Sequence, residues 1–98
     1  MKKFAHILMS DSFIPEKHTA EFDAGIKFCI YTVRNPQEAR EKVQELKREG
    51  FGVIELCGAF HRDFVLELIA LTEGEIGIGY SVNEPEQEEL FARFFDRT

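Results

Sequence analysis

The chain has 98 residues, 44% hydrophobic and 31% charged, a balance that suits one compact α/β domain and excludes a disordered polymer. Its formal net charge of −6, with no basic run to offset it, disfavours nucleic acid and anionic membranes as partners. No apolar stretch approaches the length of a membrane span.

The N-terminal run KFAHILM, Lys3 to Met9, reads as a first strand with apolar residues on both faces, not as the longer apolar core of a signal peptide. His6 sits in its middle, where a core histidine with a satisfied hydrogen bond is the plain expectation. Ser10, Asp11 and Ser12 follow as a turn. Residues 13–25 are the hardest to place. A short strand over residues 18–22 would make a hairpin with the next segment through Asp23, Ala24 and Gly25. Glu16, His18, Glu21 and Asp23 have ligand chemistry, but their spacing matches no metal motif.

IKFCIYTV, Ile26 to Val33, is a β-branched and aromatic strand. Asn35, Pro36 and Glu38 then form a helix start, with Asn35 as cap and Pro36 at the first helical position. The helix is expected over residues 36–49, with Ala39, Val43 and Leu46 as a narrow apolar stripe and Glu38 paired to Lys42. Gly50 ends it. Phe51, Val53, Ile54 and Leu56 read as a strand covered on both faces, interrupted by Glu55. Cys57 and Gly58 predict a tight turn that needs glycine's conformational freedom. A helix follows, with Phe60, Phe64, Leu68 and Leu71 on one stripe, Val65 and Ile69 beside it, and Gly74 as its stop.

EIGIGYSV, residues 75–82, is the last strand. Ile76, Ile78, Tyr80 and Val82 share one face, and Gly77 and Gly79 share the other, so something approaches closely there, most simply a packed helix. Asn83 caps the last helix and Glu86 completes its box. Leu90, Phe91, Phe94 and Phe95 make an apolar stripe that either closes the core or meets another subunit. Ten Phe and no Trp fit a core or an interface filled by phenyl rings. The similar joints at Tyr31–Pro36 and Tyr80–Pro85 place Tyr31 and Tyr80 near the same edge of the sheet. The overall expectation is an α/β fold over residues 1–98, a largely parallel sheet of four or five strands with three helices, in the order β-(β)-β-α-β-α-β-α.

The run from Val33 to Phe60, with its Pro36-started helix, Gly50 before a strand, and Ile54-Glu55-Leu56-Cys57-Gly58-x-Phe60, resembles a family of small prokaryotic proteins described only as a domain of unknown function. The likeness extends over about two thirds of the chain. Members carry Gly-Gly-Phe where Gly58-Ala59-Phe60 stands here, so this loop is not built of glycine alone. The resemblance implies no activity and no cofactor.

Parallel strands gather their carboxyl ends at one rim, where ligands of α/β sheets collect. Glu55, Cys57, His61, Arg62, Arg34 and Tyr80 are expected there. Asp11 joins them only if the first strand is parallel to the rest. A helix start beside Cys57 attracts anions and can lower a thiol pKa, with Gly58, Ala59, Arg34, Arg62 and Tyr80 as ligand contacts. The plain alternative is a small buried cysteine. Two cysteines, Cys29 and Cys57, without a signal sequence fit a reducing cytoplasm.

Two functions follow: a module binding a small anionic or polar metabolite at this turn as a homo-oligomer, or a small isomerase- or lyase-type enzyme using Cys57, Glu55 or His61. A third is an assembly module acting through the C-terminal phenyl rings.

Overall fold

A computed structural model describes residues 1–96. Its elements are β1 (Lys3–Met9), β2 (Ala20–Ala24), β3 (Ile26–Val33), α1 (Pro36–Arg48), β4 (Val53–Leu56), α2 (Arg62–Leu71), β5 (Gly77–Tyr80), a single 3-10 turn (Pro85–Gln87) and α3 (Glu88–Phe95). They form the expected α/β fold, a five-stranded sheet in the order β2-β3-β1-β4-β5. β1 pairs in parallel with β3 and with β4, and β4 pairs in parallel with β5. Only the edge strand β2 is antiparallel, joined to β3 through Gly25 at φ 82°. The hairpin begins two residues later than the sequence suggests, at Ala20 instead of His18.

This order fixes which face is covered. The β3-to-β4 connection passes over β1, and the β4-to-β5 connection continues in the same direction. Right-handed crossovers moving the same way lie on the same face, so α1 and α2 sit side by side. Their side chains Ala39, Val43, Leu46, Val65 and Leu68 join Ala5, Ile7, Cys29, Val33, Ile54 and Leu56 of the sheet in one buried core. The α1 stripe is the one its spacing predicts. The β1-to-β3 connection, where a helix would have covered the opposite face, is instead a loop followed by β2, which lies within the sheet. The opposite face therefore has no helix of its own.

Several local expectations change as a result. Val53 is 40% exposed while its neighbour Ile54 is fully buried, so β4 is covered on one face and not two. Gly77 and Gly79 lie on the bare face and meet no helix. The close neighbour is Glu55, whose carboxylate oxygens stand 2.8 and 2.9 Å from where a Cβ on Gly79 would be. The last strand spans Gly77–Tyr80 alone, and Val82 is exposed beyond it.

The helix ends also differ in detail. Asn35 Oδ1 accepts from the Glu38 N–H at 2.9 Å, as expected of a cap. The Glu38 carboxylate, however, turns back to the Arg34 backbone N–H at 2.8 Å and to its guanidinium, while Lys42 pairs with Glu45. α2 stops at Thr72, and the chain enters the left-handed region at Glu73 (φ 58°), one residue before Gly74 (φ 68°). Neither Asn83 nor Glu86 caps α3. The 3-10 turn precedes it, and Gln87 stands at its start without a side-chain cap bond.

Candidate functional site

The carboxyl ends of β1, β3, β4 and β5 point the same way, so the predicted rim exists and Asp11 belongs to it. From β1 the chain moves to β3 on one side and later to β4 on the other. The topological switch point, where α/β sheets open a crevice, therefore lies between β1 and β4. The loop at Ser10–Ser12 borders it on one side and the Cys57 turn on the other.

The thiol of Cys57 bridges these two strands. Its Sγ accepts the Met9 N–H at 3.4 Å, and its own N–H donates to Ile7 O at 3.1 Å. Cys57 is half-buried and packs against the core. The turn is longer than two residues: the Phe60 N–H closes it on Cys57 O at 3.1 Å, and Phe60 is buried, stacked on Phe64 at 5.8 Å. α2 begins only at Arg62, with His61 at its cap position making no side-chain cap bond. Gly58 has an ordinary backbone conformation and open space where a Cβ would stand, so the turn does not require glycine there. Gly58, Ala59, His61 and Arg62 are exposed.

Other predicted residues lie apart from this turn. Glu55 is on the bare face, with its carboxylate over Gly79 and, among the described residues, no hydrogen bond or ion pair. Among the described residues, no hydrogen bond joins any two of Cys57, Glu55 and His61. Tyr80 is on the helix-covered face, in one row with Leu56, Ile7 and Tyr31, so Tyr31 and Tyr80 do share a level of the sheet. The Lys42 ammonium lies 4.6 Å from the centre of the Tyr31 ring. Burial, and next the neighbouring Cys29 thiol, push the Tyr31 phenol above its usual value.

Arg34 is at the carboxyl end of β3, on a shallow cavity of about 240 Å³ lined by Pro15, Glu16, Thr32, Glu38 and Lys42 among others. The Glu38 carboxylate holds its guanidinium (Nε to Oε2, 2.9 Å) and is itself drawn below the usual carboxylate range by that hydrogen bond. The floor is rigid. Thr32 Oγ1 donates to His18 O at 2.8 Å, and His18 Nδ1 accepts the Ile14 N–H at 2.9 Å, which places the imidazole proton on Nε2. Among the described residues, no three His, Cys, Asp or Glu side chains converge as metal ligands.

One feature was not foreseen from the sequence, the bare face itself. Across it runs a row of Phe22, Phe28, Phe4, Val53 and Gly77, and next to it a row of Ala20, Ile30, His6, Glu55 and Gly79. His6 Nε2 is buried there without a hydrogen-bond partner, where a satisfied core histidine was expected. Of the two outcomes its apolar stripe allowed, α3 does not close the core. Its Leu90, Phe91, Phe94 and Phe95 line an open apolar surface and pack on no core residue.

A model for a family of unknown function (DUF6506) matches residues 2–96. No curated protein and no solved structure matches the chain. The chain belongs to the DUF6506 family.

Proposed function

We propose that this member of a family without an assigned activity is an assembly module, a small α/β unit that works as a homo-oligomer joined through α3. The carrying observation is the stripe of Leu90, Phe91, Phe94 and Phe95. Phe94 is 80% exposed and Phe95 69%. Isolated helices shorter than about 12 residues are marginal in water and depend on burying an apolar face. α3 has eight residues and buries none of them within its own chain. A partner that takes up the stripe supplies the missing burial. Molar mass by light scattering tests this. An oligomer that becomes monomeric in Phe91→Ser/Phe94→Ser supports the reading, and a wild-type monomer or an unchanged variant removes it.

A second reading is a binding module for a small anionic or polar metabolite at the rim. It is favoured by the parallel strand ends and by the switch point between Ser10–Ser12 and the Cys57 turn. The exposed Arg62 supplies a free cation there, whereas the Arg34 charge is already met by Glu38. Titration calorimetry with a metabolite panel tests it. Binding that is unchanged in both Arg62→Ala and Gly58→Val discards this site. The enzyme reading through Cys57, Glu55 and His61 draws no support from their separate placement.

A further inference from the structure

We infer that the stripe on α3 docks onto the bare sheet face of a second copy, and that the second copy's α3 docks reciprocally on the first. The inference rests on the assembly reading above and names the surface that receives the helix. Each chain carries two uncovered apolar surfaces of matching kind. One is the convex stripe of Leu90, Phe91, Phe94 and Phe95. The other is the sheet face of Phe22, Phe28, Ile30 and Val53, with half-buried Phe4 in the same row and the Glu55 carboxylate lying over Gly79 beside it. Phe22 is 57% exposed. A sheet face of this composition is normally closed by a helix. α1 and α2 are both committed to the other side.

The shape of the chain points the same way. Its radius of gyration is 14.0 Å and its longest extent 42 Å, against a radius of about 12.6 Å for a compact domain of this length. Four residues beyond β5 carry the chain to the 3-10 turn, and α3 then lies away from the core.

The area is sufficient. The exposed fractions leave about 500 Å² of apolar side chain uncovered on the helix stripe and about 300 Å² on the sheet face, each the size of a monomer's largest patch. Two reciprocal contacts would remove about 1,500 Å², the size of a stable protein interface. The contact would also complete a chamber that neither copy closes alone. His6 and Glu55, the only ionisable side chains in the two central rows, would lie beneath the partner's phenyl rings.

The test uses the full chain and two variants, Phe91→Ser/Phe94→Ser on the helix and Phe22→Ser/Val53→Ser on the sheet, with far-UV circular dichroism to confirm folding. Each variant alone is expected to be monomeric under conditions where the wild type is a dimer. Their equimolar mixture is expected to associate more tightly than either variant alone but more weakly than the wild type, because one of the two contacts then joins an intact helix to an intact sheet face. A sheet variant that stays dimeric overturns the docking surface while leaving assembly through α3 intact. A mixture that associates no more tightly than either variant alone overturns the docking of helix on sheet face. A monomeric wild type removes both readings. Should the double sheet variant fail to fold, the exposed Phe22→Lys replaces it. Amide exchange in α3 of the wild type gives an independent readout: protection that rises with protein concentration is expected, and free-peptide exchange at every concentration overturns the docking.

Discussion

Two neighbouring residues of β4 should respond unequally to the same replacement. Ile54 points into the core and is fully buried, whereas Val53 points to the bare face and is 40% exposed. Ile54→Thr deletes one methyl group, leaves a small cavity, and buries a hydroxyl among Ala5, Ile78 and the helices. Loss of the methyl costs about 1 kcal/mol and the unsatisfied hydroxyl about 2 kcal/mol. The total of about 3 kcal/mol is a large share of a stability of roughly 5–15 kcal/mol, and corresponds to a Tm lowered by about 15 °C. Val53→Thr keeps the side-chain shape and β-branching, and its hydroxyl reaches water. It should cost no more than about 0.5 kcal/mol, or about 3 °C. Both are to be made on the Phe91→Ser/Phe94→Ser background, so that association through α3 does not cover Val53. Thermal and urea unfolding followed by circular dichroism give the two values. If Val53→Thr costs as much as Ile54→Thr, the face is covered within the chain and the one-sided sheet is wrong.

Cys57→Ala removes the acceptor of the Met9 N–H and should cost about 1–2 kcal/mol, while Cys57→Ser keeps an acceptor and should cost less, both read from urea midpoints. Equal costs would show that the sulfur only fills space. Glu73 holds a left-handed conformation that penalises its Cβ, and its contact with Lys47 is largely solvated, so Glu73→Gly should stabilise by about 0.5 kcal/mol and raise the Tm by a few degrees. A loss of stability would mean that the ion pair outweighs the backbone strain. The guanidinium of Arg34 holds Glu38 below its ordinary value of 4.5, and that of Arg40 does the same for Glu67. A carboxyl lowered in the folded state adds stability that is present above the unfolded value and is lost as the pH falls through the lowered one. Thermal melts from neutral pH down to about 3 should therefore show a shallower acid decline in Glu38→Gln/Glu67→Gln than in the wild type. Parallel declines would refute the linkage.

Much of the fold was legible because it is local. Apolar spacing marked α1 down to its buried Ala39, Val43 and Leu46, and the Asn35-Pro36 pair marked its start. The run of β-branched and aromatic residues marked β3, and Gly25 marked the hairpin turn. The common direction of β3, β4 and β5 followed from the alternation of strand and helix, whereas that of β1, which no helix joins to its neighbour, did not. The candidate site was less legible. The joint at Cys57 was located, but it proved a longer turn with its thiol engaged, because the distance to β1 is not written in β4.

Phe4, Phe28 and Val53 look like core residues in the sequence, and nothing along the chain distinguishes them from Ala5, Cys29 and Ile54. Local spacing by itself determined which segments are strands and helices and which residues share a face. Only the tertiary structure decided which face is covered, because that depends on strand order. With both crossovers running one way, handedness sends α1 and α2 to one side, leaving the other face and α3 without cover in the chain.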